Sequence, residues 1–124
     1  MGESAENYLE TILILSQRKG NVRAIDVATE MDFSKPSVSV ALKHLREQGL
    51  LTADQDGCLA LTPEGRRAAE SVYERHRVLS ECFIMLGVDE KTAQQDACKI
   101  EHVVSKQTFD AIKKHFESFR NARR

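Results

Sequence analysis

Ala24-Ile-Asp-Val-Ala-Thr-Glu-Met-Asp-Phe-Ser-Lys-Pro-Ser-Val-Ser-Val-Ala-Leu-Lys-His-Leu-Arg-Glu-Gln-Gly49 is the stretch on which the fold turns. Ala24, Val27, Ala28 and Met31 recur at i, i+3, i+4 and i+7, the spacing that puts side chains on one face of a short helix. Asp32 and Phe33 make a brief turn. Ser34 is placed to cap a further helix, and Pro36 falls in its first turn, where a missing N–H costs little. Val38, Ala41, Leu42 and Leu45 repeat the apolar spacing, and Gly49 ends the run. Two short helices joined by a tight turn predict a helix-turn-helix.

The residues that follow extend this reading. Leu50 to Ala53 and Cys58 to Leu61 flank Asp54-Gln55-Asp56-Gly57, and Asp-Gly is strong turn chemistry. A small hairpin here is the wing of a winged helix. On the N-terminal side, Ala5, Tyr8, Leu9, Ile12 and Leu15 predict a helix from Ala5 to Arg18, capped by Ser4 and stopped by Gly20.

Thr62-Pro63-Glu64 reads as a helix start, with a hydroxyl cap, Pro at the first position and an acid in the first turn. That fourth helix is expected to reach about Leu86, with Ala69, Val72, Leu79, Phe83 and Leu86 inward and Gly87 at its end. Asp89 caps a fifth helix expected to run to about Val104, with Ala93, Ala97, Ile100 and Val104 inward. Ser105 caps a sixth with the stripe Phe109, Ile112, Phe116 and Phe119. The tail Arg120 to Arg124 is expected to fray. Phe109, Phe116 and Phe119 are candidates for a subunit interface, the alternative being intramolecular packing against the fourth helix.

The chain has 124 residues, 30% of them charged and 41% hydrophobic, a globular composition and not a disordered one. Its formal net charge of −1 excludes a generic polyanion binder, so any nucleic-acid contact must come from a local basic patch. No apolar stretch approaches membrane-spanning length, and Leu13-Ile14-Leu15 lacks signal-peptide flanks, so a cytoplasmic protein without a membrane partner is expected. Cys58, Cys82 and Cys98 form no CxxC pair, which fits reduced thiols.

The polar face of the third helix carries Ser34, Lys35, Ser37, Ser39 and Lys43. A recognition helix reads base edges with its N-terminal residues while flanking cations hold phosphates. Ser34, Ser37 and Ser39 are small donors that permit close approach, Pro36 and Val40 offer apolar contact to a thymine methyl, and Lys35 and Lys43 neutralise phosphates. None is a long bidentate reader, so methyl contacts, DNA shape and water are expected to carry much of the specificity.

Cys98, Glu101 and His102 stand at i, i+3 and i+4. On a helix they share about 100° of arc, presenting three transition-metal ligand types on one stripe. The first helix offers Asn7 and Glu10 on one face, and the fourth offers His76. These six converge only if the first, fourth and fifth helices meet.

Glu6-Asn-Tyr-Leu-Glu10-Thr-Ile12, Arg75-His76-Arg77, Leu86-Gly-Val-Asp89, Ala97-Cys-Lys-Ile-Glu-His102-Val-Val-Ser105 and Ser34-Lys-Pro-Ser-Val38-Ser together resemble the diphtheria-toxin-repressor family, which holds the iron-dependent repressors and the manganese transport repressors. The resemblance covers nearly the whole chain. It implies a mainly α fold: a winged-helix DNA-binding domain with a β-hairpin wing over residues 1–70, then a helical metal-binding and dimerisation domain over 71–124. It further implies a homodimer that binds double-stranded operator DNA when Fe(II) or Mn(II) is bound between the domains, a repressor and not an enzyme.

By position, Cys98, Glu101 and His102 match the family's fifth-helix ligands, His76 the fourth-helix ligand and Glu10 a manganese-type carboxylate. Asn7 departs, standing where manganese repressors have Asp and iron repressors Met. Ser80 and Gln94 stand where iron-type members carry ancillary ligands, and the length resembles the short form without an SH3-like domain. Cys98 is the iron-type choice, while Glu10 with His76 is the manganese-type choice. A metal-independent winged-helix regulator sensing oxidants through Cys98 is the alternative.

Overall fold

In the computed structural model, residues 2–122 of the chain are described. Six helices and one two-stranded sheet follow in the order α1 (Glu3–Lys19), α2 (Ala24–Met31), α3 (Lys35–Glu47), β1 (Leu51–Ala53), β2 (Leu59–Leu61), α4 (Pro63–Met85), α5 (Glu90–Ile100) and α6 (Lys106–Ala122). The chain separates into two compact units, Met1–Ser71 and Val72–Arg124.

The first unit is a winged helix. Leu9, Ile12, Val27, Val38, Leu42 and Leu51 are fully buried in one cluster, with Ala24, Met31 and Ala41 packed against it. Each such aliphatic side chain contributes about 1.5–3 kcal/mol by leaving water. The helix-turn-helix joint is short because Asp32 takes the left-handed conformation at φ 56°, and the Phe33 N–H donates to Ala28 O at 3.1 Å. Asp tolerates that backbone better than most non-glycine residues. Ser34 caps α3 as the sequence predicts, its Oγ accepting from the Ser37 N–H at 3.3 Å.

The wing pairs Leu51 with Leu61 and Ala53 with Leu59 in antiparallel register. Asp54 builds its turn, Oδ1 accepting from the Asp56 and Cys58 N–H groups at 2.9 Å each. Val22 adds a bridge to Leu59, and the Arg23 guanidinium donates to Asp56 O at 2.6 Å, tying the wing to the start of α2. At the start of α4, Thr62 Oγ1 donates to Gly49 O at 2.7 Å and accepts from the Gly65 N–H at 3.0 Å. Gly65 is required for this approach, because a Cβ there would lie 1.9 Å from Leu50 O.

In the second unit Val78, Leu79, Ala97, Phe109 and Phe116 form the core, with Phe83, Ile100, Val104 and Ile112 against it. Asp89 caps α5 by accepting from the Thr92 N–H at 3.0 Å, and Ser105 Oγ accepts from Thr108 at the head of α6. The hydrogen bonds from Thr92 hold the Asp89 carboxyl below the usual carboxylate range.

Five expectations are corrected. α1 begins at Glu3 with Gly2 as its cap, so Ser4 lies inside the helix. α5 stops at Ile100, and Glu101 to Val103 form a turn with Val103 and Val104 N–H groups both donating to Ile100 O at 3.0 Å. Leu86 lies beyond α4 and is 80% exposed, in a helix-ending loop where Val88 N–H reaches back to Phe83 O. Phe109 and Phe116 are buried within the unit, the intramolecular alternative, whereas Phe119 is 48% exposed. The helix reaches Ala122, so the tail expected to fray is helical to that point, and residues 123–124 lie outside the described ones.

Candidate metal centre and nucleic-acid interface

The α5–α6 turn carries a carboxylate that is hard to keep without a partner. Glu101 is 1% exposed, and its Oε2 lies 2.9 Å from His76 Nδ1 on α4. Its Oε1 lies 3.3 Å from Nε2 of the adjacent His102, whose side chain is 1% exposed, but without the alignment of a hydrogen bond. Oε1 is thus a buried oxygen with no hydrogen-bond partner. Leaving such an atom unsatisfied costs about 1–3 kcal/mol, and more when it is charged. The arrangement therefore fits a group that brings positive charge to this place.

Two imidazoles and a carboxylate, with the Cys98 thiol one helical turn earlier on α5, are a borderline N/O/S donor set suited to divalent transition metals. Among the described residues, no group of three or more His, Cys, Asp and Glu side chains stands ready as a metal cage. His76 and Glu101 face each other instead, so the fit rests on the orphaned Glu101 oxygen. Cys98 is exposed on α5. Shortening α5 to Ile100 leaves the helical arc largely intact, since Glu101 keeps right-handed helical geometry and its N–H donates to Ala97 O.

Asn7 and Glu10 lie on α1 of the first unit, half-buried, one turn apart on the same side of the helix. Ser80 is buried with an Oγ that has no hydrogen-bond partner, and Gln94 donates to Glu90 Oε1 at 3.3 Å.

Arg75 has a role that the Arg75-His76-Arg77 stretch does not announce. Its Nη1 donates to Glu101 O and to Val104 O, each at 3.1 Å, and its guanidinium lies 5.6 Å from the centre of the Phe109 ring. The only trace in the sequence is a cation immediately before a candidate ligand. Helical periodicity says nothing about carbonyls on a turn twenty-odd residues away.

On the first unit, Ser34, Lys35, Pro36, Ser37, Ser39, Val40 and Lys43 are all exposed on α3, opposite the buried Val38, Leu42 and Leu45. Ser34 donates to Ser37 Oγ at 2.9 Å as well as capping the helix, so its hydroxyl has work within the protein. Val40 is 57% exposed, an apolar side chain presented to solvent in the middle of a polar face.

Residues 1–59 match the N-terminal DNA-binding domain of the iron-dependent repressors, and residues 62–122 match their metal-binding and dimerisation domain. The chain belongs to the iron-dependent repressor family. It is 34% identical to the transcriptional regulator MntR of Escherichia coli over 111 residues, 90% of this chain and 72% of that protein. An uncharacterised helix-turn-helix regulator of Methanocaldococcus jannaschii is 28% identical over 123 residues, 98% of both chains. A manganese-dependent transcriptional repressor solved with manganese superposes with a TM-score of 0.83 at 29% identity, over 91% of this chain and 52% of that one. The chain spans about half the length of the solved manganese regulators it matches. Its architecture is therefore the family's winged helix followed by a helical dimerisation domain.

Proposed function

We propose that this member of the family is a metal-activated transcriptional repressor whose ion, Fe(II) or Mn(II), is held by His76, Cys98, Glu101 and His102 with Asn7 and Glu10. The observation that carries the proposal is the buried Glu101 carboxylate between two histidines, with one oxygen unsatisfied. The inclusion of Asn7 and Glu10 rests on the family resemblance alone. A bound divalent cation supplies the positive charge that Glu101 lacks and directional bonds from thiolate, imidazole and carboxylate. Ligands drawn from both units restrain the reading helix, and operator binding then costs less ordering. Such coupling is typically about 1–3 kcal/mol, and it is reciprocal, so DNA tightens metal binding by the same factor.

Recognition is assigned to the N-terminal half of α3, with Ser37, Ser39, Pro36 and Val40 toward base edges and Lys35 and Lys43 toward phosphates. Ser34 acts there chiefly as the cap. Operator DNA is read by a homodimer, whose two helices must lie about 34–36 Å apart or a multiple of it. The second unit offers a surface for the partner copy: an apolar groove of about 610 Å³ lined by Leu79, Phe83, Leu86, Ile112, Phe116 and Phe119. Burial also pushes the Cys82 thiol in this groove up, which favours the neutral form.

No helix among the described residues is long and apolar enough to cross a membrane. The transcriptional regulators it resembles support a cytoplasmic binding protein without enzymatic activity. The oxidant-sensing alternative gains no support from relatives named for manganese and iron. Calorimetric titration of Mn(II), and anaerobically of Fe(II), into the chain tests the proposal. Saturable binding that Glu101→Gln removes is expected, and the absence of any specific binding in the unaltered chain refutes it.

A further inference from the structure

We infer that Arg75 is the positioning residue of the metal centre, acting through the backbone of the turn that carries Glu101 and His102. The inference rests on the metal reading above. α5 ends at Ile100, so Glu101 and His102 stand on a turn and not on a regular helix. A turn is held only by what its backbone groups find, and the carbonyls at a helix C-terminus have no intrahelical donor. Here one nitrogen serves two carbonyls, one at the end of α5 and one just before α6: Arg75 Nη1 donates to Glu101 O and to Val104 O at 3.1 Å.

Those two hydrogen bonds span the segment that contains both candidate ligands. They fix where the turn leaves α5 and where it enters α6. Arg75 itself is held from the other side by the buried Phe109 ring at 5.6 Å, so the guanidinium plane is placed by α6 as well as by α4. Its cation also sits at the negative end of α5, a favourable position for it.

The neighbouring residue completes the logic. His76 follows Arg75 on α4 and approaches the Glu101 side chain at 2.9 Å, while Arg75 grips the Glu101 backbone. Two consecutive α4 residues therefore hold one residue by its main chain and its carboxylate. Outer partners of this kind orient ligands, and their loss typically weakens metal affinity by about 10–100-fold. Lysine is a poor substitute, because a compact ammonium on a shorter stem lacks the planar face that lies over the Phe109 ring.

Co(II) titration of the full chain, followed by its visible absorption bands, tests this, with circular dichroism verifying the fold at low temperature. Arg75→Met is expected to keep its helices, bind Co(II) about 10–100-fold more weakly and show altered bands. Arg75→Lys is expected to show a smaller but measurable loss with partial return of the unaltered spectrum. A role limited to stability lowers the melting temperature and leaves the Co(II) affinity and bands of the folded chain unmoved. Arg75→Lys with unaltered affinity and bands overturns the inference even if Arg75→Met fails to fold. Glu101→Gln separates the two levels. If it abolishes Co(II) binding while both Arg75 variants bind normally, only the role of Arg75 falls. If it leaves Co(II) binding unchanged, the metal reading falls and the inference with it.

Discussion

His76 Nδ1 and Glu101 Oε2 stand 2.9 Å apart, joining α4 to the turn after α5 through a carboxylate with no exposed surface. A buried acid is retained at a cost. Glu101→Gln keeps the size and a polar atom facing His76 while removing the charge, so the metal-free melting temperature is expected to change little. It removes the stabilisation that metal gives the unaltered chain, about 2.7 kcal/mol at a hundredfold excess over Kd. Thermal unfolding with and without Mn(II) measures both effects, and a metal-induced rise preserved in the variant contradicts the assignment.

Gly65→Ala is expected to destabilise the chain by about 3 kcal/mol, the upper part of the usual range for overpacking. The new Cβ would meet Leu50 O at 1.9 Å, and backbone does not yield as a flexible side chain does. Urea unfolding gives the change. A loss under about 0.5 kcal/mol, the ordinary range for surface substitutions, shows that α4 can lift away from the wing strand without penalty.

Acid sensitivity is expected in the first unit. The Lys19 ammonium bound to Asp26 at 2.7 Å holds that carboxyl below its ordinary value, and the Arg23 N–H adds to the effect. A carboxyl with a depressed folded-state pKa stabilises the fold above its unfolded value, about 3.9, and the contribution disappears as pH falls through the folded value. Asp26→Asn should therefore melt earlier than the unaltered chain at pH 7, and the gap should narrow below about pH 4. A gap that stays constant from pH 7 to 3 assigns the effect to something other than the charge.

Lys43→Ala is expected to weaken DNA binding nearly equally for all sequences. The slope of log K against log salt should fall by about 1. Val40→Ser should instead act mainly at sites with a thymine under the middle of α3. An unchanged salt slope in Lys43→Ala removes Lys43 from the phosphate contacts.

Leu86→Glu is expected to convert the proposed homodimer to monomer, since Leu86 is 80% exposed at the rim of the apolar groove. Sedimentation at micromolar concentration reads the change. A variant that remains dimeric places the interface elsewhere.

The helix-turn-helix was legible almost to the residue. α2 spans Ala24–Met31, and Ser34 is the cap of α3, because amphipathic spacing and capping chemistry are local and both act there. Ser4 misled because a serine directly before the apolar spacing that begins at Ala5 has cap chemistry, while the helix starts two residues earlier, at Glu3, with Gly2 as its cap. The end of α5 was missed for a similar reason. Ile100 and Val104 keep helical spacing and both pack on the core, yet the backbone between them turns. Phe109 reads equally as an interface or core residue from spacing alone. What settles it is Arg75, whose guanidinium covers the ring, a contact between α4 and α6 that no periodicity encodes. The ligand types at 98, 101 and 102 were visible as a pattern, but the buried, unsatisfied oxygen that gives Glu101 its chemical demand is a property of the packed chain.

Anaerobic fluorescence-anisotropy titration of a labelled promoter duplex, with Mn(II) or Fe(II) present or chelated, addresses the coupling of metal to DNA most directly. The unaltered chain should bind about 5–150-fold more tightly with metal, and His102→Ala, folded to the same extent, should show no such gain. Equal metal-dependent tightening in both proteins contradicts the assignment of the centre around Glu101 and His102.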